Sequence, residues 1–456
     1  MNKECIHFIA VGGSIMHNLA LALHQKGLQI SGSDDELYEP SKSRLEKSGI
    51  IKKTGWNPDQ ITTKLNAVIV GMHAKKDNVE LLKAKELNIP IYSFPEYIHK
   101  HSIDKQRIVI TGSHGKTTIT SMILHVLKKL NKKFDYAVGA YIDGFERMVQ
   151  LSDAPIIIIE GDEYLSSPLD LRPKFLNYDH HIVVVNGIAW DHMNVFPTFE
   201  SYTNQFQLLL EKSPKSGSII YYEKDEEVRK IASKEREDVK LFPYEAHETK
   251  YIKNECYLIN KKTKTKVNFF GEHNMINLSA AKQVCLKIGV SEEDFYDTIS
   301  SFKGASKRLE VLAENNSQGT VVYKDFAHAP SKLKASCKAM KERFPKRKLI
   351  ACMELHTFSS LSKDFLPQYK NSFNDAEIAI VFINPKTLAN KNIKAFSENE
   401  IRGYFNNQKI TLIESSNTLQ DFLLSQEWSQ TNLLLMSSGN FDNLELEKIS
   451  NKIVNI

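Results

Sequence analysis

Long apolar runs, paired cysteines and a large excess of one charge are all missing from this sequence of 456 residues. No stretch approaches the ~20 consecutive apolar residues of a membrane-spanning helix, so we expect no membrane association. The N-terminal residues lack the apolar segment and the small-residue cleavage site of an export signal. The five cysteines include no Cys-x-x-Cys pair, which disfavours disulfide and zinc frameworks and predicts a cytoplasmic protein.

The balance of charges argues against a surface that binds polyanions in general, because 60 basic side chains are offset by 55 acidic ones. The one concentrated basic run, at residues 261–266, lies between two apolar segments. A solvated hairpin tip explains this run better than a nucleic-acid site, since no interleaved aromatic residues accompany it. We therefore expect no nucleic-acid partner.

Short apolar runs alternate with helical patterns along the chain, which predicts an α/β fold with parallel strands covered on both faces. The length allows roughly three domains of ~100–200 residues each. Two polar segments, at residues 99–105 and 314–319, have the composition of linkers. We therefore predict domains at 1–104, 105–314 and 315–456, with strands at residues 6–11, 28–33, 67–71, 107–111, 156–160, 182–186, 348–353, 377–383 and 433–437.

The strongest motif is Thr-Gly-Ser-His-Gly-Lys-Thr-Thr at residues 111–118, which follows a strand pattern and precedes a helical one. Gly112 and Gly115 let the backbone approach a phosphate, whose charge the amides and the helix N-terminus stabilise. Lys116 suits terminal phosphate oxygens, and the Thr117 hydroxyl suits Mg²⁺. The loop is shorter than the common phosphate loop, and a chance Gly-Lys-Thr in a surface turn is the alternative.

Two strand ends carry polar side chains that suit a bound nucleotide. Glu160 closes one apolar run, and His192 follows another. Ligands of open α/β sheets gather at the carboxyl ends of strands, where a carboxylate shares a cation with phosphates and a histidine binds a second metal ion or the phosphate. Taken alone, Glu160 also fits a helix cap and His192 a packed core residue. Their place downstream of the phosphate loop favours the nucleotide.

Other polar residues are weaker signals. Asn274 and Asn277 lie three apart on one helical face, so both amides can reach one ligand, such as an adenine edge. Arg308 is a candidate contact for phosphate charge, and Asp325 is a candidate contact for ribose hydroxyls. An ordinary helix start, a surface ion pair and a turn are the alternatives for these groups.

A short glycine turn, Gly12-Gly13, follows the first strand and precedes a helical pattern. Its amides and the helix N-terminus suit a diphosphate for the same physical reason as the phosphate loop. The turn lacks the G-x-G-x-x-G spacing, and a nicotinamide-binding unit would present a similar pattern. The turn alone therefore leaves both ligands open.

The motifs GSHGKTT, EGDE, DH, GEHNMIN, KRLE and DFAHAP, in this order, resemble those of the Mur ligase family, in which ATP drives amide bonds on a UDP-muramyl acceptor. The resemblance spans essentially the whole chain. It implies a three-domain α/β architecture with a Rossmann-like UDP-sugar-binding domain, a central P-loop ATPase domain, and a Rossmann-like C-terminal domain that receives the amine. It also implies ATP and Mg²⁺ as cofactors, an acyl-phosphate intermediate, and small-molecule substrates for a monomer or a homodimer.

The resemblance implies roles for individual residues. Lys116, Glu160, His192 and Arg308 are the implied catalytic residues, and Mg²⁺ is implied at Thr117, Glu160 and His192. The implied ATP-binding residues are Gly112, Ser113, His114, Gly115, Lys116, Thr117, Thr118, His273, Asn274, Asn277, Arg308 and Asp325. The implied UDP-substrate-binding residues are Gly12, Gly13, Ser14, Ser33 and Asp34.

Within the family, the N-terminal half is most similar to members that join UDP-N-acetylmuramate to L-alanyl-γ-D-glutamyl-meso-diaminopimelate in peptidoglycan recycling. The similar stretches include residues 163–164 and 171–175, and residues 436–441 later in the chain. Residues 354–358 instead resemble members that add L-alanine to the same acceptor. Lys324 and Ala329 depart from the family pattern, which motivates a third alternative, a nucleotide-binding homologue without catalysis.

Overall fold

The computed structural model describes residues 3–51, 53–190, 192–193, 195–233, 236–261, 263–304 and 308–456. The chain divides into two compact units, the first formed by Met1–Ala246 and Ile276–Ile299, the second by His247–Met275 and Ser300–Ile456. In the part of the chain that is described, no helix combines the length and the apolar character needed to cross a bilayer.

The N-terminal sheet of the first unit is entirely parallel, with strand order β2-β1-β3-β4. Short apolar strands that alternate with amphipathic helices produce this arrangement, because each parallel pair needs a crossover. The strands are β1 (Cys5–Ile9), β2 (Gln29–Ser33), β3 (Ala67–Val70) and β4 (Ile91–Ser93). The helices are α1 (Ser14–Gln25), α2 (Ser41–Lys47), α3 (Val79–Glu86) and α4 (Phe94–Lys100).

The second sheet of this unit has strand order β11-β10-β9-β5-β8-β6-β7, and only the β6–β7 pair in it is antiparallel among the described residues. Its strands are β5 (Gln106–Thr111), β6 (Asp135–Ala137), β7 (Val149–Gln150), β8 (Ile156–Glu160), β9 (Ile182–Val185), β10 (Ser218–Tyr222) and β11 (Lys240–Tyr244). The accompanying helices are α5 (Lys116–Lys129), α6 (Phe199–Glu211) and α7 (Glu226–Ala232). Short 3-10 turns lie at Pro58–Gln60 and Lys174–Asn177.

The two sheets of the first unit share one apolar core, to which Phe8 and Ile69 contribute from the first sheet and Ile157 and Val183 from the second. A polar cluster also joins them. The Tyr141 hydroxyl accepts hydrogen bonds from Arg44 and, at 3.2 Å, from Asn18, whose own Oδ1 accepts the Met148 amide at 3.0 Å. Asn18 therefore ties α1 to the segment between β6 and β7.

The second unit contains an antiparallel meander and a mixed sheet of order β15-β16-β20-β17-β18-β19. Its strands are β12 (Thr249–Ile252), β13 (Glu255–Asn260), β14 (Thr263–Val267), β15 (Glu310–Asn315), β16 (Thr320–Asp325), β17 (Lys348–Glu354), β18 (Ile378–Phe382), β19 (Thr411–Ile413) and β20 (Thr431–Met436). Helix α8 (Glu272–Lys287) crosses the division between the units, and α9 (Glu292–Ile299) belongs to the first. The remaining helices are α10 (Pro330–Arg343), α11 (Pro385–Asn390), α12 (Glu398–Phe405), α13 (Ser416–Leu424) and α14 (Leu446–Ile453), with 3-10 turns at Ser359–Leu361 and Leu366–Tyr369.

Each strand predicted from an apolar run is present, with ends that differ by at most two residues. The basic run at residues 261–266 begins at the turn after β13 and continues along β14, which pairs with β13. The hairpin is therefore confirmed, but residues 263–266 of the run lie in the strand rather than at its tip, and residue 262 lies outside the described residues. The polar segment 314–319 is also the turn of a hairpin, between β15 and β16. It is therefore not a linker, and a boundary at 314/315 would separate two paired strands. The rest of the proposed domain division stays a prediction.

Candidate active site

The phosphate loop joins β5 to α5 and depends on two glycines with a left-handed backbone. Gly112 has a φ of +119° and Gly115, which caps α5, has a φ of +77°. A Cβ at Gly115 would lie 2.0 Å from Oδ1 of Asn277, and a Cβ at Gly112 would lie 2.7 Å from the Asn186 amide nitrogen. Larger residues are therefore excluded, and the loop stays close to the N-terminus of α5, where an anion is stabilised.

Hydrogen bonds from other segments of the chain hold the loop in place. The Ser113 hydroxyl lies 2.7 Å from the Tyr202 hydroxyl and accepts a backbone amide, that of Ala189, at 2.9 Å. The carbonyl of His114 accepts a bond of 3.1 Å from Nδ2 of Asn186. Thus Ser113, which the sequence places among the phosphate contacts, has a side chain that is engaged in holding the loop.

Lys116 begins α5 and forms a buried ion pair. Its Nζ donates to the Gly112 carbonyl at 2.8 Å and to Oε2 of Glu163 at 2.6 Å. Burial opposes the charge of this ammonium, but the carboxylates of Glu163 and its neighbours outweigh burial and raise the pKa of Lys116. Burial also opposes the charge of Glu163 and by itself would raise its pKa, yet Lys116 and His192 lower this pKa to about 2. The pair is therefore ionised at neutral pH.

Glu160 ends β8 and contacts the residue after Lys116. Its Oε1 accepts a hydrogen bond of 2.8 Å from the Thr117 hydroxyl, and its Oε2 accepts the Gly139 amide at 3.0 Å. Burial raises the pKa of Glu160, although the Gly139 amide and Lys116 oppose the shift. The strand end and the first turn of α5 thus bring together two of the residues that the sequence predicts for a metal ion.

A second set of potential metal ligands combines two residues of the acidic run after β8 with His192. Ligand atoms of Asp162, Glu163 and His192 lie within 4.8 Å of one another, and Nε2 of His192 is 3.6 Å from Oε1 of Glu163. Carboxylates and the Thr117 hydroxyl are hard oxygen donors, so the side chains at this strand end fit Mg²⁺. The predictions from the sequence assign the metal ion to Glu160 and His192, but not to Asp162 or Glu163, although these two acids belong to the same EGDE motif as Glu160. Asp191, the other residue of the Asp-His motif, lies outside the described residues.

Asn277 lies in a buried polar chain beneath the phosphate loop. Its Oδ1 accepts a hydrogen bond of 2.8 Å from Nδ2 of Asn186, and Oδ1 of Asn186 accepts the Tyr244 hydroxyl. The sequence assigned the Asn277 amide to an adenine edge, and this role stays a prediction. Asn186 was not predicted, but its position directly after the apolar strand β9 is the signal that could have found it.

The N-terminal glycine turn is held by Asp34. Oδ2 of Asp34 accepts the Gly12 amide at 2.6 Å, and a Cβ at Gly12 would lie 2.7 Å from a methyl carbon of Leu37. Burial raises the pKa of Asp34 to about 6, with the Gly12 amide opposing the shift. Ser33 is fully buried and donates to Glu80, which lies 3.4 Å from His7. In this structure both Ser33 and Asp34 are therefore engaged in holding β2 and the turn.

A cleft of about 250 Å³ in the first unit is lined both by residues of the N-terminal glycine turn and by residues beside the phosphate loop. Gly13 and Ser14, at the start of α1, line the cleft, and so do Glu160 and Asp162. Other lining residues are Val70, Gly71, Met72, His73, Ala137, Val138, Gly139, Ser166, Lys174 and Tyr178. The cleft therefore runs between the start of a helix, which suits an anion, and the residues beside the phosphate loop.

The second unit contains the remaining predicted nucleotide contacts. Asp325 ends β16 and is buried, and its carboxylate accepts the Ser336 hydroxyl and, at 3.4 Å, the Leu309 amide. The Arg308 guanidinium lies 5.0 Å from the centre of the Phe326 ring. Residues 305–307 of the Lys-Arg-Leu-Glu motif region lie outside the described residues. The predicted roles of Arg308 and Asp325 are not tested by these contacts and stay predictions.

The start of α8 in the second unit carries His273 and Asn274. Nδ1 of His273 is buried with no hydrogen-bond partner among the described residues, and burial lowers the pKa of this histidine despite the attraction of Asp325. Nδ2 of Asn274 donates to the Phe270 carbonyl at 2.8 Å. The Asn274 amide therefore holds the helix start, while His273 retains a ring nitrogen for a ligand.

The two C-terminal segments with family resemblance meet at the carboxyl end of the mixed sheet. Glu354 ends β17 and is 3% exposed, and its Oε2 accepts the Ser437 hydroxyl and the Phe441 amide, the latter at 2.9 Å. A Cβ at Gly439 would lie 2.8 Å from the same oxygen. Because β17 and β20 are neighbours, their polar ends form one candidate site at the usual ligand edge of such sheets.

Comparisons with known proteins agree with these motifs. The Mur ligase family catalytic domain model matches residues 5–106, and the Mur ligase middle domain model matches residues 110–285. A UDP-N-acetylmuramate–L-alanine ligase of Clostridium kluyveri is 31% identical over 386 residues, covering 81% of this chain and 82% of that protein. A UDP-N-acetylmuramate–L-alanyl-γ-D-glutamyl-meso-2,6-diaminoheptandioate ligase of Haemophilus influenzae is 30% identical over 347 residues, covering 74% and 76%.

The fold agrees as well. The solved UDP-N-acetylmuramate–alanine ligase of Thermotoga maritima matches with a TM-score of 0.70 at 19% identity, covering 99% of this chain and 98% of that one. This likeness confirms the predicted α/β fold class and the Mur ligase architecture. The relatives that are at least 30% identical over most of both chains also confirm the predicted family and an enzymatic activity. The chain therefore belongs to the Mur ligase family of ATP-dependent ligases.

Proposed function

We propose that this chain joins the lactyl carboxylate of UDP-N-acetylmuramate to the amino group of L-alanyl-γ-D-glutamyl-meso-diaminopimelate, while ATP becomes ADP and phosphate. The cleft between the start of α1 and Glu160 carries this proposal. A UDP-sugar whose diphosphate lies at the N-terminus of α1 extends along such a cleft. Its acid group then reaches the residues beside the phosphate loop, where ATP is to be held.

The first step activates the acceptor. A carboxylate oxygen attacks the γ-phosphorus of ATP, the bond to the β,γ-bridging oxygen breaks, and an acyl phosphate and ADP are formed. Lys116 and the loop amides neutralise and orient the phosphates, which is the main task of a protein in phosphoryl transfer. We assign Thr117, Glu160 and His192 to Mg²⁺, which supplies neutralisation of the phosphate charge when bound.

The second step forms the amide. The free amino group attacks the acyl carbonyl, the carbon–oxygen bond to phosphate breaks, and inorganic phosphate leaves. We assign Arg308 to phosphate charge, Asp325 to the ribose, and His273, Asn274 and Asn277 to the nucleobase. The unpartnered Nδ1 of His273 supports a ligand contact there. The proposed substrates are small molecules, and the free thiols of all five cysteines support the predicted cytoplasmic location.

Three segments bear on the choice of amine. Residues 163–164 and 171–175 resemble the tripeptide-adding members. The first segment directly follows the cleft residue Asp162, and the second contains the cleft residue Lys174. The similarity of residues 354–358 to alanine-adding members, together with the relative from C. kluyveri, favours L-alanine as the second candidate. A third candidate, a homologue without catalysis, is motivated only by Lys324 and Ala329.

One assay separates these candidates. Release of inorganic phosphate is measured with ATP, Mg²⁺ and UDP-N-acetylmuramate, and with either the tripeptide or L-alanine as the amine. We expect release that depends on the tripeptide and a product of the corresponding mass. Turnover with L-alanine alone would assign the chain to the second activity, and nucleotide binding with no release for either amine would favour the third.

A further inference from the structure

Lys174 lies at the meeting point of the acceptor cleft and the acidic run after β8. Its Nζ is 2.5 Å from Oδ2 of Asp162, its side chain is 20% exposed, and it lies 5.9 Å from the centre of the Tyr164 ring. Among the described residues that line the cleft it is the sole lysine or arginine, whereas Glu160 and Asp162 contribute two carboxylates. This cation is not used by the mechanism described above.

The loop that carries Lys174 is closed on itself. The amide of Lys174 donates to the Tyr164 carbonyl at 3.0 Å, and the amide of Phe175 donates to the Asp162 carbonyl at 3.2 Å. The Phe175 side chain is 1% exposed and its ring packs 5.3 Å from that of Phe206. The backbone at Lys174 is therefore anchored on both sides, and the flexible stem of the side chain is left to move the ammonium.

An anionic acceptor needs a cation at this end of the cleft. Its carboxylate has to approach Glu160 and Asp162, which repel it. Lys116 is already held by the Gly112 carbonyl and Glu163, and in the proposed mechanism it serves the phosphates of ATP. Of these two lysines, Lys174 is therefore the one that is available to an acid group in the cleft.

We propose that Lys174 is a positioning residue that binds the carboxylate of the acceptor, exchanging its contact with Asp162 for a contact with the substrate. This inference rests on the proposed function, because it takes the acceptor to be UDP-N-acetylmuramate. The lysine holds one carboxylate oxygen while the other attacks ATP. No covalent bond to Lys174 is formed, and the ammonium keeps its protons throughout.

Equilibrium binding tests this role without activity. UDP-N-acetylmuramate is titrated into wild-type protein, K174M and K174R in a calorimeter, in the absence of ATP and Mg²⁺. A parallel series uses UDP-N-acetylglucosamine, which lacks the lactyl carboxylate. We expect K174M to weaken binding of the muramate about 10- to 100-fold, the range of a charge-assisted hydrogen bond, with no change for the glucosamine. K174R, which keeps the charge, restores part of the affinity.

A matched control comes from the same loop. Arg172 pairs with Asp170 at 2.9 Å, is exposed, and is not among the cleft lining, so R172M should bind both sugars like the wild type. Under turnover, K174M should raise the KM for the muramate and leave the KM for ATP unchanged.

Three results contradict the proposal in different ways. If K174M weakens the binding of both sugars equally, Lys174 is only a structural partner of Asp162. If K174M binds both sugars as tightly as the wild type does, Lys174 has no role in the cleft. Failure of the wild type to bind UDP-N-acetylmuramate would refute the proposed function itself, and the Lys174 inference with it.

Discussion

Replacing Gly115 with alanine tests the packing beneath the phosphate loop. The left-handed backbone at this residue costs an alanine about 1–2 kcal/mol. The new Cβ would also lie 2.0 Å from Oδ1 of Asn277 and 2.3 Å from Nδ2 of Asn186. These two atoms are joined by a hydrogen bond of 2.8 Å, so relief of the clash separates them.

The expected loss of stability is the sum of the backbone strain and the loss of this hydrogen bond. A buried hydrogen bond whose partners are left unsatisfied costs about 1–3 kcal/mol. G115A should therefore destabilise the first unit by about 2–5 kcal/mol. Urea unfolding followed by tryptophan fluorescence measures this in a W428F background. Trp56 and Trp190 then report the first unit alone, because Trp428 belongs to the second.

Gly289 supplies the matched control. It also has a left-handed backbone, with a φ of +80°, but no atom lies within 4 Å of its added Cβ. G289A should thus cost only the conformational part, about 1–2 kcal/mol. In an N277A background the effect of G115A should shrink toward that value. If G115A and G289A destabilise the protein equally, the contact between Asn277 and the loop is refuted.

Three further predictions concern charge. The raised pKa of Asp34, about 6, means that the folded protein binds this proton more tightly than the unfolded chain, so stability falls as pH rises from about 4 to 6. Because solvent screens part of this charge, we expect a fall of about 1–2 kcal/mol. D34N should remove this loss, and urea unfolding at pH 4 and pH 7 measures it. K116M should lower kcat for phosphate release by at least about 100-fold, since a cation on the phosphates is lost. E160Q should raise the Mg²⁺ concentration for half-maximal release about 10- to 100-fold, with the KM for the amine unchanged.

One control variant lies outside the site, and two outcomes, for D34N and K116M, would contradict the predictions. E146Q removes an exposed carboxylate and should leave the Mg²⁺ dependence unchanged. A D34N protein whose stability still falls between pH 4 and 6 as steeply as the wild type would show that another group carries the titration. K116M with normal phosphate release would remove Lys116 from the chemistry, and the nucleotide site with it.

Local patterns were enough to predict the main parallel strands and the phosphate loop. The apolar run at 156–159 predicts β8, and the strand–glycine–helix order predicts a Glu160 side chain near the start of α5, where it contacts Thr117. The segment 314–319 shows the limit of such reasoning, because a tight turn and a linker have the same polar composition. Only the pairing of β15 with β16 separates the two cases.

Contacts that depend on the path of a loop could not be predicted. Asp162 and Lys174 are twelve positions apart and meet because the chain between them folds back, with Leu165 bridging to Pro173. No periodicity encodes this closure. Likewise, helical spacing predicts that Asn274 and Asn277 share one face of α8, but it says nothing about Asn186. This residue follows β9, and only tertiary packing brings its amide to that of Asn277.

The acidic run after β8 explains why one short segment serves several ligands. Gly161 leaves no room for a side chain, since a Cβ there would lie 2.6 Å from Thr111, and the three acids around it take different partners. Glu160 accepts from Thr117, Asp162 pairs with Lys174, and Glu163 pairs with Lys116. The lysines are thus compensated before any ligand arrives, and a phosphate or carboxylate that takes a lysine leaves an acid without its partner. For Glu163, which is 1% exposed, an unpaired charge is costly, so binding of the phosphates is favoured together with a divalent cation rather than alone.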